Sequence, residues 1–138
     1  MYDVIIAGGG PIGSYTAYRL AEKGHRVIVA RRGSEMAAKM NPTPRKILLK
    51  RLQGKGVRLI PGATYEAIEK GALFITYSDG RKEQLPFDTV VIAAGARPNT
   101  ELASQIGKDL LVYVIGDAKE PRQIKDAVEE GFATGLQI

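Results

Sequence analysis

Short uninterrupted apolar runs alternate with helical patterns at the start of the chain. Tyr2–Ala7 and Arg26–Ala30 carry such runs, which are typical of parallel strands covered on both faces. Ile12–Lys23 lies between them with helical periodicity, and it has Pro11 at its start and Gly24 as its stop. This pattern predicts a βαβ unit.

The same alternation continues once and then changes. Thr43 is predicted to cap a helix that starts at Pro44 and runs to about Gln53, and Val57–Ile60 reads as a third strand. Tight turns then separate three short strand patterns, which predicts an antiparallel meander at about residues 63–86. The three meander strands are Tyr65–Glu69, Leu73–Tyr77 and Arg81–Leu85.

Buried-strand patterns return in the last third of the chain. Thr89–Ala93 and Val112–Ile115 read as strands, a helical turn is expected near Thr100–Gln105, and Gln123–Gln137 reads as a closing helix. The predicted fold class is therefore α/β, with a five-stranded parallel sheet and a three-stranded antiparallel meander between strands 3 and 4. No linker stands out, so residues 1–138 are expected to form a single domain.

A glycine-rich loop joins the first strand to the first helix. Gly8, Gly10 and Gly13 form the pattern G-x-G-x-x-G between a buried strand and a helix, where such loops bind the pyrophosphate of a dinucleotide. In this context the first glycine permits a tight turn, the second lets the phosphates approach, and the third lets the helix pack against the strand. The candidate cofactor-binding residues here are Gly8, Gly9, Gly10, Pro11, Ile12 and Gly13.

Composition narrows the function classes. The chain has no cysteine, which excludes a redox cysteine pair, an iron–sulfur cluster and a disulfide within it, and which fits a cytoplasmic protein. No apolar run is long enough to span a membrane, so no membrane partner is expected. Residues 1–60 hold 12 Lys and Arg against 3 Asp and Glu. Aromatic residues do not interleave with this basic half, so nucleic acid is not expected as a partner.

Three segments resemble the FAD/NAD(P)-binding domains of two-dinucleotide flavoproteins, in particular the pyridine-nucleotide part of the NADH:flavin oxidoreductases related to 2,4-dienoyl-CoA reductase and enoate reductase. They are Val4–Val29, Asp88–Leu102 and Val112–Gly131. The resemblance implies a three-layer β/β/α Rossmann-like fold with the parallel sheet in the order 3-2-1-4-5. It also implies an excised or minimal dinucleotide-binding module that serves hydride transfer and works with a flavin-bearing catalytic domain or subunit.

The end of the second strand bears on which dinucleotide binds. An acidic residue there accepts a hydrogen bond from a ribose hydroxyl, whereas a basic one accommodates the 2′-phosphate of NADP. Arg31 and Arg32 occupy this position, which favours NADP(H) over NAD(H). The alternative interpretation is that both are surface arginines that merely follow a strand. Tyr15 departs from the resemblance, because the family's nicotinamide domains often have a glutamate there.

The later segments leave FAD open as the ligand. In FAD domains of the resembled family, a Gly-Asp pair after the last strand lies beside the glycine loop and holds the flavin ribityl chain. Gly116 and Asp117 have this form, so FAD could lie across Gly8–Gly13 and Asp117. A turn or helix-capping aspartate is the alternative interpretation. Ala94 and Gly95, which end the fourth strand, are further candidate cofactor contacts.

No catalytic side chain and no metal site are expected. Hydride transfer is carried out by cofactors, so the protein needs no nucleophile or acid–base pair of its own. His25 is the only histidine, and it lies in a predicted helix-to-strand turn. Asp126, Glu129 and Glu130 are interpreted as the solvated face of the last helix. A non-catalytic nucleotide-binding module therefore remains an alternative to a part of an enzyme.

Overall fold

The computed structural model describes residues 1–107 and 109–138. Their contacts divide the chain into two compact units, Met1–Gly95 and Ala96–Ile138. The expectation of one domain over residues 1–138 stays a prediction. No helix among the described residues has the length and apolar character needed to cross a membrane.

The first unit is built on a six-stranded mixed sheet with two helices. The strands lie in the order β3-β2-β1-β6-β5-β4, with β1, β2, β3 and β6 parallel and β4, β5 and β6 forming an antiparallel meander. The elements are β1 (Tyr2–Ala7), α1 (Pro11–Glu22), β2 (Val27–Ala30), α2 (Pro42–Gly54), β3 (Arg58–Ile60), β4 (Ala63–Glu69), β5 (Ala72–Tyr77) and β6 (Lys82–Ile92).

Two apolar clusters cover the two faces of the parallel strands. Residues that alternate along β1 and β2 point to opposite sides, as strand geometry requires. Ile6 and Val29 pack with Leu52 of α2 in one cluster, whereas Ile5 packs with Leu73 of the meander in the other. The helices, the parallel strands and the meander therefore form three layers, and the α/β Rossmann-like fold class is confirmed.

The prediction of separate strands at Arg81–Leu85 and Thr89–Ala93 was wrong. A single strand, Lys82–Ile92, covers most of both segments. It pairs antiparallel with β5 as far as Pro86 and parallel with β1 from Phe87 onward. Pro86, which suggests a break because it lacks an N–H, lies where the strand changes partner, so the strand can continue through it.

The second unit contains short helices joined by irregular segments. These are α3 (Glu101–Gln105), a 3-10 turn (Gly116–Ala118) and α4 (Ile124–Gly135). The fifth parallel strand predicted at Val112–Ile115 is not formed, and these residues pair with no strand in the described part of the chain. An apolar run forms a buried strand only where other elements cover it, but Val112 and Tyr113 are 38% and 39% exposed. The parallel strands lie in the order β3-β2-β1-β6, which is the expected order with β6 in the place of the predicted fourth strand and without the fifth.

An ion pair ties the edge of the parallel strands to the meander. Arg58 of β3 donates two hydrogen bonds of 2.8 Å to the carboxylate of Glu83 in β6 and one of 3.1 Å to the Tyr77 hydroxyl. Tyr77 in turn donates to Glu83. The guanidinium of Arg58 lowers the pKa of Glu83, and burial raises the pKa of Tyr77. Both partners are about one third exposed, which limits what the pair contributes.

Replacing Glu83 by Gln should lower the free energy of unfolding by about 1 kcal/mol, because a two-point charged contact becomes a neutral one. Urea unfolding of Glu83→Gln, Arg58→Met and the double variant measures this. A coupling energy near zero in the double-mutant cycle would contradict the assigned role of the pair.

Candidate functional site

Two glycines of the loop are required by close packing. The backbone of Gly8 has a φ of 133°, and a Cβ there would lie 2.1 Å from the carbonyl oxygen of Ala93 at the end of β6. A Cβ on Gly13 would lie only 1.8 Å from the carbonyl oxygen of Gly8. The first and third glycines therefore allow β6 and α1 to contact the turn after β1.

The middle glycine of the motif faces open space. Apart from its two chain neighbours, no atom of the described residues lies within 4 Å of where a Cβ on Gly10 would be, so packing within this unit does not explain the glycine. Gly10 is the residue that caps the N-terminus of α1, and Pro11 follows at the first helical position. The exposed N–H groups at this end of the helix make it a ready site for an anion.

The loop, the end of β2 and the end of β6 enclose one cleft of about 340 Å3. This size lies within the range of small-molecule sites. Among the predicted residues, the cleft brings together Gly8, Gly9, Gly10, Pro11, Ile12, Arg31, Arg32, Ala94 and Gly95. Gly13 does not line the cleft but is buried under the loop, in the packing role predicted for it.

Lys39 and Tyr65 also line the cleft, although sequence reasoning did not select either as a cofactor contact. With Arg31 and Arg32, Lys39 gives the cleft a positive lining. The hydroxyl of Tyr65 donates a 2.7 Å hydrogen bond to the carbonyl oxygen of Ala30, and burial raises the pKa of Tyr65. Lys39 belongs to the basic half of the sequence, and this was the only feature of the sequence that pointed to it as a cleft residue. Tyr65 carried none beyond its place in a strand.

In the second unit, Asp117 lies at a separate cleft of about 550 Å3, which Arg97, Asn99 and Glu101 also line. The carboxylate of Asp117 is exposed. Gly116, with a φ of 61°, begins the 3-10 turn that carries it. The glycine loop belongs to the first unit, so FAD binding across the loop and Asp117 stays a prediction.

Glu130 has a structural role that corrects its interpretation as part of a solvated helix face. Its carboxylate accepts the backbone N–H of Gly116 at 2.7 Å and the ammonium of Lys119 at 3.1 Å, and Arg122 also donates to it. These bonds, led by the one from Gly116, lower the pKa of Glu130 to about 2. The interpretation failed because the partners of Glu130 precede the helix. Asp126 accepts the N–H of Gln123 and so caps α4.

Outside these two clefts, the described residues offer little catalytic chemistry. Among residues 1–107 and 109–138, no group of three His, Asp or Glu side chains is placed to hold a metal ion. What the first cleft offers is the N-terminus of α1 and three cationic side chains. Such a set suits the binding of a phosphorylated ligand.

Residues 2–131 match the pyridine nucleotide-disulphide oxidoreductase family. The chain belongs to this family. The chain has no cysteine, so it supplies no disulphide of its own to the chemistry that the family name describes.

Curated relatives extend the match over nearly the whole chain. It is 36% identical over 131 residues to a bilirubin reductase of Mediterraneibacter gnavus, covering 94% of this chain and 20% of that protein. It is 32% identical over 138 residues to an NADH oxidase of Thermoanaerobacter brockii, covering 99% and 21%. The chain therefore spans about a fifth of the length of these two family members.

A solved structure supports the same assignment. A 2-naphthoyl-CoA reductase matches with a TM-score of 0.77 and 25% identity, covering 100% of this chain and 21% of that one. This pyridine nucleotide-disulphide oxidoreductase domain is thus similar to one portion of larger oxidoreductases. The resemblance to flavin oxidoreductases drawn from the sequence is confirmed.

Replacing Gly13 by Ala should lower the free energy of unfolding by roughly 2 kcal/mol, because the new methyl group overlaps the Gly8 carbonyl. Gly10→Ala is the matched control and should cost less than about 1 kcal/mol, since its methyl group meets open space. Thermal and urea unfolding of both variants measures the difference. Equal losses would contradict the packing role of Gly13.

The carboxyl of Glu130 should titrate near pH 2 rather than near its ordinary pKa of 4.5. Because folding lowers this pKa, the stabilisation by Glu130 is present above about pH 4.5 and is lost as the pH falls toward 2. A carboxyl 13C NMR titration measures the midpoint, and Glu130→Gln removes this part of the acid sensitivity. A midpoint near 4.5 would contradict the bond to the Gly116 N–H.

Proposed function

We propose that this chain is the dinucleotide-binding module of an NAD(P)H-dependent flavin oxidoreductase, and that it binds NADP(H) in the cleft at the glycine loop. The open space at Gly10 carries the proposal. Gly8 and Gly13 are explained by packing within the first unit, whereas Gly10 is not. A pyrophosphate that approaches the backbone accounts for a glycine at this position.

The charge of the cleft supports a phosphorylated ligand. Arg31 and Arg32 follow β2 directly, Lys39 lies further along the loop after β2, and all three line the cleft. In folds of this kind, the adenosine ribose binds at that end of the strand. Arg32 and Lys39 favour a ribose that carries a 2′-phosphate, so we expect NADP(H) to bind more tightly than NAD(H).

The module serves hydride transfer without supplying a catalytic side chain. When bound, the nicotinamide supplies the hydride and a flavin receives it. The residues of this chain bind and orient the dinucleotide. The matched NADH oxidase and bilirubin reductase are about five times longer than the segment they share with this chain, which supports a flavin-bearing partner domain or subunit.

FAD is the second candidate ligand, and the cleft at Asp117 favours it. An exposed carboxylate can accept hydrogen bonds from the hydroxyl groups of a ribityl chain, and Asn99 and Arg97 offer donors at the same cleft. On this alternative, FAD rather than NADP(H) is the dinucleotide that the chain binds. The cytoplasmic location expected from the cysteine-free composition stays a prediction.

Calorimetric titration of the purified chain with NADPH, NADH and FAD tests the proposal, together with an absorbance spectrum of the protein as isolated. We expect NADPH to bind more tightly than NADH and the protein to be colourless. Gly10→Val should abolish NADPH binding with little loss of stability, because its side chain fills the space that the pyrophosphate needs.

A yellow protein with bound FAD would favour the second candidate. Retained NADPH affinity in Gly10→Val would contradict the glycine-loop assignment. Absence of binding to all three nucleotides would contradict the proposed function itself.

A further inference from the structure

The carbonyl oxygen of Gly9 is held by two donors from the segment after β2. Arg31 Nη1 donates to it at 3.0 Å and the backbone N–H of Ala37 at 2.7 Å. The Arg31 side chain runs between two glycines. A Cβ on Gly9 would lie 2.4 Å from Met36 Sδ and 3.0 Å from Arg31 Cβ, and one on Gly33 would lie 2.9 Å from Arg31 Nε. Gly33 thus leaves room for the Arg31 side chain, and Gly9 leaves room for both Arg31 and Met36.

The second donor is itself anchored. Ala37 is fully buried and has a φ of 51°, a conformation that alanine adopts only when its surroundings enforce it. Arg45 of α2 donates a 2.8 Å hydrogen bond to the neighbouring carbonyl of Met36 and pairs with Glu35 at 3.1 Å. The N–H of Ala37 is therefore held toward the glycine loop.

Holding the Gly9 oxygen also sets the direction of the next N–H. The C=O of Gly9 and the N–H of Gly10 belong to one peptide group, and in a trans peptide they point in opposite directions. No peptide bond among the described residues is cis. Over residues 1–107 and 109–138, no backbone carbonyl accepts the Gly10 N–H. With the oxygen of Gly9 held by Arg31 and Ala37, the N–H of Gly10 faces away from them.

We propose that Arg31 is a positioning residue of the glycine loop. It fixes the Gly9–Gly10 peptide so that the Gly10 N–H is aimed at the pyrophosphate before any ligand arrives. This inference rests on the proposed function and deepens it, because it separates the two arginines that follow β2. Arg31 contributes to the binding of every dinucleotide, whereas the exposed Arg32 is free to pair with a 2′-phosphate.

Matched arginine substitutions test the inference by calorimetry with NADPH and NADH. Arg31→Met should weaken both nucleotides by the same factor, roughly tenfold, because a charge-assisted hydrogen bond is lost. Arg31→Lys keeps a cationic donor and should restore part of both affinities. Arg32→Met should weaken NADPH alone. Arg19→Met removes the same charge from an exposed position on α1 and should leave both affinities unchanged.

A loss confined to NADPH in Arg31→Met would assign Arg31 to the 2′-phosphate and overturn the inference. Unchanged affinity for both nucleotides in that variant would overturn it as well. An equal loss of affinity in Arg19→Met would show that the effect comes from net charge alone, and it would also overturn the inference.

Hydrogen exchange without ligand gives a second readout that does not depend on the proposed function. In Arg31→Met, the Ala37 amide should exchange at least about tenfold faster while amides in β1 and β2 keep their rates. If the wild-type chain binds neither nucleotide, the proposed function fails and this measurement alone decides the positioning role. Unchanged exchange at Ala37 would overturn it.

Discussion

The approach of α1 to the turn after β1 is the contact on which the candidate site depends. The backbone of Gly13 lies so close to the Gly8 carbonyl that a Cβ would come within 1.8 Å of it. This contact allows α1 to begin soon after β1 ends. The helix N-terminus therefore lies at the same sheet edge as the ends of β2 and β6, and the three together form the cleft.

The features that sequence predicted best are set by local pattern. Alternating apolar runs and turn residues identified the βαβ unit and the meander, because both depend on neighbours within about 30 residues. The continuous β6 was missed because Pro86 suggests a break and only the pairing partners on either side reveal the strand. The apolar run at Val112–Ile115 was wrongly predicted to be a buried strand, because apolar character alone does not show whether other elements cover a segment.

The contacts that shape the site were harder to predict. The motif identified Gly8 and Gly13, whose close backbone contacts leave no room for a side chain. The bond from Arg31 to the Gly9 carbonyl joins residues 22 positions apart, and it depends on the turn that carries Ala37. Glu130 reaches back 14 positions to the Gly116 N–H. Neither contact follows a periodic pattern or a motif spacing, so the sequence alone does not predict it.

On the proposed function, the chain is a dinucleotide-binding module that works with a flavin-bearing domain or subunit. It belongs to the pyridine nucleotide-disulphide oxidoreductase family, yet it spans about a fifth of the length of two relatives and has no cysteine. Its own residues offer a cradle for phosphates and a positive lining. Such a module contributes orientation and electrostatics, and its cofactors carry the electrons.

Mapping amide chemical shifts during titration with NADPH tests the central claim most directly. If the glycine loop holds the pyrophosphate, the largest shifts occur at the amides of Gly9 to Gly13, with the Gly10 amide foremost, and smaller ones follow at Arg31 and Arg32. Shifts confined to the second unit, around Asp117, would contradict the account.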